Sequence, residues 1–222
     1  MLRLFRLINK NLSTLGIRLE KKPTKELPII TISREMGSGG RLIASLVAKK
    51  LGRRWRVYHK DLVDKIAKQA HLEKALIKEI DEKRLGLING LIGDLFGRRY
   101  PSLNTYHKNL VKVLTEIGQR GYAVIVGRGA DYLFPEALKI RIICEMEQRI
   151  KWLMEFEGLS RQQAIERIEN SDRQRYQFVQ ALYRHDIRKA HHYDLVIRTG
   201  PRLSIHDAAD LIVQAAKRRF KI

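Results

Sequence analysis

Three glycines, Gly37, Gly39 and Gly40, stand between two arginines in the stretch Pro28-Ile-Ile-Thr-Ile-Ser-Arg-Glu-Met-Gly-Ser-Gly-Gly-Arg41. Glycine lets the backbone turn tightly, and successive N–H groups ahead of a helix then converge on one spot that attracts phosphate. A standard phosphate loop reads G-x-x-x-x-G-K-[ST]. Aligned on Gly39, this chain carries Arg34 in place of the first glycine, Gly40 in place of the lysine and Arg41 in place of the hydroxyl residue. Short glycine motifs also mark plain strand-to-helix turns, and on this stretch alone the two readings are about equal. The flanking Arg34 and Arg41 tilt the balance toward an anion.

Further along, Gly127-Arg128-Gly129 interrupts an apolar run at its C-terminal end, and His59-Lys60-Asp61 follows another. Ligands of parallel α/β proteins bind at the C-terminal ends of strands, which makes His59, Asp61 and Arg128 candidates for substrate contact. A surface position for His59 and a helix N-cap for Asp61 account for them equally well. A third group, Asp172, Arg173, Arg175 and Arg184, lies in a polar helical region after Ser160. On a continuous helix Arg173, Gln177, Gln180 and Arg184 share one face, so two guanidinium groups could converge on one anion. Taken by itself, such a helix is more simply a solvated charged face.

The elements that would position these residues alternate along the chain. Strands are expected at Pro28–Ile32, Arg56–Tyr58, Tyr122–Val126, Leu138–Cys144 and Tyr193–Arg198, each short and apolar. Helices are expected at Leu42–Leu51, Leu62–Ala70, Glu73–Lys83, Leu103–Arg120 and Glu147–Phe156, then after Ser160 and after Ser204. Gly52 and Gly121 read as C-terminal stops, and Ser160 with Gln163 and Ser204 with Asp207 have capping-box spacing. Five strands alternating with helices imply an α/β fold with an open parallel sheet and right-handed crossovers. Residues 1 to 27 read as a basic extension, with Lys21-Lys22-Pro23-Thr24-Lys25 as a linker.

At 222 residues, 44% hydrophobic and 31% charged, the composition is that of a globular protein with one main core. No apolar run approaches the ~20 residues that span a bilayer. Cys144 is the single cysteine, which excludes a disulfide scaffold and a cysteine-based zinc site and fits a reducing, cytoplasmic setting. The formal charge of +20 suggests polyanionic company: nucleic acid, acidic membrane or nucleotide phosphates. No aromatic-interleaved RNA-binding signature accompanies it.

Taken in order, Ile-Ser-Arg-Glu-Met-Gly-Ser-Gly-Gly-Arg41, Val-Ile-Val-Gly-Arg-Gly-Ala-Asp131 with Phe134-Pro-Glu136, Ser171-Asp-Arg-Gln-Arg175 and Tyr-Asp-Leu-Val-Ile197 resemble the cytidylate kinase-like family of P-loop nucleoside monophosphate kinases. The resemblance implies a three-layer αβα P-loop fold over residues 28–222, with a five-stranded parallel sheet. It also implies an acceptor-binding flap near 59–105 and a helical lid near 158–190. By the same resemblance Arg34, Gly37, Ser38, Gly39, Gly40 and Arg41 would hold the donor phosphates. His59, Asp61, Arg128 and Asp131 would face the acceptor, and Arg173, Arg175 and Arg184 would close on the transferring group. Cytidylate kinases carry an aspartate directly after the arginine matching Arg128; here Gly129 stands there and Asp131 lies two places on. The family would use ATP with nucleotide-borne Mg²⁺ and a nucleoside monophosphate, CMP or dCMP by likeness, with no protein metal site. A nucleotide- or nucleic-acid-binding protein of the same fold without kinase activity is the alternative, suggested by the missing lysine and hydroxyl and by the charge. Motifs say nothing of the oligomeric state.

Overall fold

A computed structural model describes residues 27–59 and 103–222. Most of the basic extension, the helices expected at Leu62–Ala70 and Glu73–Lys83, nearly all of the flap, and Asp61 lie outside the described residues.

Five parallel strands form one sheet in the order β2-β3-β1-β4-β5, where β1 is Ile29–Arg34, β2 Arg56–Tyr58, β3 Ala123–Val126, β4 Leu138–Cys144 and β5 Leu195–Thr199. Because strand side chains alternate, Ile30 and Ile32 of β1 face one core while Ile29 faces the other. On the first face, α1 (Gly40–Leu51) and α6 (Ile205–Phe220) cover Val124, Val126, Ile140, Ile142 and Ile197. Small residues at Ala44, Ala48, Ala208, Ala209 and Ala216 let these two helices pack close together. The opposite face is covered by α2 (Leu103–Arg120), whose Tyr106, Leu110, Val113, Leu114 and Ile117 form an apolar stripe of helical period against Ala123 and Ile125. The short helix α3 (Ala130–Leu133) completes that layer, giving three layers in all.

The region expected as a lid, 158–190, contains α5 (Arg161–Tyr183), which forms a hairpin with the preceding α4 (Met146–Glu157). Gly158 ends α4 in the left-handed conformation, and Ser160 and Gln163 cap α5 reciprocally. Ile150, Leu153, Ala164 and Ile168 give the hairpin its own small cluster. Farther on, α5 enters the main core through Phe178, Val179 and Tyr183, so the hairpin and the core share one unbroken 23-residue helix. Strand β1 runs two residues beyond its apolar stretch because Ser33 and Arg34 continue pairing with Arg141 and Ile142 of β4 after pairing with β3 ends at Ile32. Strand β5 starts two residues later than expected, after a 3₁₀ turn at Ala190–His192. Among the described residues no helix is long and apolar enough to cross a membrane.

Candidate functional site

The chain leaves β1 for β2 through α1 on one face, and leaves β3 for β4 through α3 on the other. Neighbouring strands whose connections diverge in this way open a crevice at their C-terminal ends, where α/β proteins bind ligands. Here those ends are joined by the Gly127 N–H donating to the Ile32 carbonyl at 3.0 Å. Around this point lies a cleft of about 750 Å³ lined by the Gly37–Arg41 loop, Gly127–Gly129, α4 and α5. The glycine loop and Arg128 thus meet at one edge of the sheet. Gly37 and Gly39 both have left-handed backbone, the latter directly before α1.

Arg34 crosses the floor of this cleft. A Cβ on Gly40 would stand 2.7 Å from the Arg34 Cβ, and one on Gly127 would overlap the Arg34 guanidinium. The arginine side chain therefore occupies space that glycine leaves at both positions, and it spans from the glycine loop to the end of β3. Burial, and then the charges of Arg175, Arg128, Arg41 and Arg141, push Arg34 down to about 9. Among the described residues no carboxylate pairs with it. A desolvated cation without a counter-charge is costly, and an incoming anion would relieve that cost.

Its neighbours are paired. Asp172 on α5 accepts the Met36 N–H at 2.7 Å and Arg175 Nη1 at 3.0 Å through one oxygen, and binds Arg149 through the other. Arg149 Nε donates to the Met36 carbonyl at 2.6 Å, its Nη1 lies 3.7 Å from Glu35, and Arg141 Nη2 lies 3.8 Å from the same carboxylate. Glu35 also accepts the Cys144 N–H at 3.0 Å, while Arg141 donates to Ser33 Oγ at 2.8 Å. The glycine loop is thereby fastened to β4, α4 and α5 by two carboxylates and three guanidinium groups. Burial holds Arg175 below its ordinary value, the Asp172 charge opposing that shift.

Arg128 has left-handed backbone, and its guanidinium stands 4.7 Å from the centre of the Phe178 ring, a cation–π contact. Its carbonyl accepts the Tyr183 hydroxyl at 3.4 Å. Asp131 lines the cleft, is buried, and lies 3.3 Å from His185 Nε2, with the His185 ring against Tyr132 and His192.

Of the residues singled out from sequence, Arg34, Gly37, Gly39, Gly40, Arg41, Arg128, Asp131 and Arg175 line the cleft together. Ser38 is fully buried beneath the loop, its hydroxyl donating to the Glu35 carbonyl at 2.9 Å while its carbonyl accepts from Thr199 at 3.0 Å. His59 is half-buried beyond the end of β2. Arg173 is exposed and bonded to Asn170; Arg184 is exposed and caps α5 with left-handed backbone, so the expected shared face ends before it. Neither lines the cleft. Arg141 and Arg149 escaped notice in the sequence, yet a lone arginine inside the apolar run Leu138–Cys144 was a signal of a buried polar network. Arg149 on an amphipathic helix gave none.

In overall structure the chain is similar to an uncharacterized protein from Eubacterium ventriosum, at 23% identity over 87% of this chain and 99% of that one, with a TM-score of 0.65. It is also similar to a shikimate kinase from Acinetobacter baumannii, at 18% identity over 85% of this chain and 92% of the other, with a TM-score of 0.46. By sequence it is 31% identical over 118 residues to a uronate isomerase of Corynebacterium glutamicum, a match spanning 52% of this chain and only 22% of that protein. The model of the cytidylate kinase-like family matches residues 29–201, from the first residue of β1 to just beyond β5, and the chain belongs to that family.

Proposed function

We propose that this protein is an ATP-dependent kinase that phosphorylates a nucleoside monophosphate, with CMP or dCMP as the acceptor suggested by family likeness. The observation that carries the reading is the switch-point crevice itself, where a glycine loop and the guanidinium groups of Arg34, Arg41, Arg128 and Arg175 converge. An oxygen of the acceptor phosphate attacks the γ-phosphorus, the bond to the β,γ-bridging oxygen breaks, and ADP leaves. Such transfer needs positioning and charge neutralisation more than covalent help from the protein. The backbone of Gly37 to Arg41 holds the donor phosphates and Arg128 the acceptor phosphate. Arg34, lying between them, meets the group in transit, with Arg175 above it.

The loop fits a triphosphate, because Gly37 and Gly39 turn it through left-handed backbone directly ahead of α1, whose first N–H groups attract phosphate. Arg41 stands where a hydroxyl would ligate Mg²⁺, and Glu35 and Asp172 are both engaged by arginines. Mg²⁺ would therefore arrive on the nucleotide, where it would offset the charge of the phosphates. A panel of nucleoside monophosphates incubated with ATP and Mg²⁺ tests the proposal by formation of ADP and the nucleoside diphosphate. ATP binding without turnover on any acceptor would leave the non-catalytic alternative, which the Gly40 and Arg41 replacements favour.

A further inference from the structure

Two of the most exposed large apolar side chains of the described residues, Phe156 at 75% and Leu42 at 60%, both line the cleft. Trp152, half-buried, lines it as well. Trp152 and Phe156 lie four residues apart on α4 and so stack along one face of that helix, while Leu42 stands in the first turn of α1, just past the glycine loop. Apolar side chains held open to water inside a concave site mark a ligand surface. The foot of this surface is fixed, since Arg149, one turn before Trp152, is bonded to the loop at Met36. At 1.5 Å rise per residue Phe156 lies about 10 Å along the helix from Arg149, within the reach of a nucleoside whose phosphates rest on the loop.

We infer that Trp152, Phe156 and Leu42 form a stacking platform for the base of the donor nucleotide, an inference that rests on the phosphate-loop reading above. A cleft of about 750 Å³ lined both by guanidinium groups and by the aromatic faces of Trp152 and Phe156 suits a nucleotide rather than a protein partner. Stacking on aromatic faces tolerates either purine, because each presents a π-face.

The chain has two tryptophans, and Trp55 is buried in the core between Tyr122 and Phe220. In a Trp55→Phe background Trp152 is the sole tryptophan, and its emission can be followed during titration with ATP or inorganic tripolyphosphate. Calorimetry of both ligands runs in parallel. ATP is expected to quench Trp152, whereas tripolyphosphate binds without quenching. Phe156→Ala, at an exposed site that leaves the fold intact, should weaken ATP roughly tenfold and leave tripolyphosphate unchanged. Binding of both ligands with equal quenching, or with ATP affinity unaffected by Phe156→Ala, overturns the platform and leaves the phosphate loop standing. Failure of either ligand to bind at millimolar concentration overturns the phosphate-loop reading and the platform with it.

Discussion

Arg34 and Gly40 depart from the standard phosphate loop in one exchange: the bulk lost at the lysine position reappears at the position of the first glycine. The physical link is the 2.7 Å approach that a Cβ on Gly40 would make to Arg34. Restoring the lysine alone should therefore fail. Gly40→Lys drives its own Cβ into the base of the Arg34 side chain, which has no flexible end there to yield, and displaces the cation that spans the crevice. Its expected effect is a loss of about 10² or more in kcat, comparable to removing a charge-stabilising donor. The double variant Arg34→Gly/Gly40→Lys rebuilds the standard pattern at both positions and should recover much of that loss. Steady-state rates with the best acceptor decide the matter. A double variant no better than Gly40→Lys would show that the two positions are independent.

At the scale of elements, Asp172 decides how α5 meets the glycine loop. It fastens α5 to the Met36 N–H and to Arg149, and the same turn directs Arg175 toward Met36 while Arg173 points away. Asp172→Ala leaves two guanidinium groups and a loop N–H without their acceptor. Discounted for its partial exposure, the loss should be about 2 kcal/mol, lowering Tm by roughly 4–8 °C for a chain of this size. Hydrogen exchange at the Met36 amide should quicken in the same variant, and unchanged exchange would place the loss elsewhere. Catalysis should divide the two lid arginines: Arg175→Ala lowers kcat about 10²-fold while Arg173→Ala resembles a surface control such as Arg54→Ala. A large loss in Arg173→Ala would instead mean that hairpin closure carries it to the phosphates. The elements themselves were legible in the sequence, since buried strands and capped helices announce themselves through local residue types: β2, β4, the Gly52 stop and both capping boxes fall where the pattern puts them. The loop and Arg128 were legible too, through glycines that mark unusual backbone. Which arginine of Ser171-Asp-Arg-Gln-Arg175 enters the cleft was not, because that depends on the rotation of α5 set by Phe178, Val179 and Tyr183 in a distant core. The pairing of Glu35 with Arg141 and Arg149 was hidden for the same reason, being made between strands and helices more than a hundred residues apart in sequence.

For the whole molecule, a net charge of +20 opposes compaction, and the cleft gathers part of that charge where water is scarce. Arg34 stands at about 9 in the folded chain, well below its ordinary value, so the fold disfavours its charged form. Below about pH 9 that cost is present in full. Above it the folded chain gives up this proton more readily than the unfolded one, and the contribution of Arg34 to stability rises with pH. Anion binding runs the other way, since it needs the charge and weakens as pH passes through about 9. Removing the cation should accordingly stabilise the unliganded protein: Arg34→Met is expected to gain roughly 1 kcal/mol, or about 2–4 °C in Tm at pH 7. Tripolyphosphate at a hundredfold excess over its Kd should stabilise the native chain by about 2.7 kcal/mol, roughly 5–10 °C. That increment should shrink at pH 9.5, and shrink at both pH values in Arg34→Met. Sodium chloride, by contrast, acts through general screening of the +20 charge and should raise Tm alike in both proteins. Thermal melts of the native chain and Arg34→Met, with and without tripolyphosphate at pH 7 and 9.5, separate these effects. If Arg34→Met keeps the full tripolyphosphate increment at both pH values, the anion rests on the loop amides and the other arginines, and Arg34 loses its place at the centre of the site.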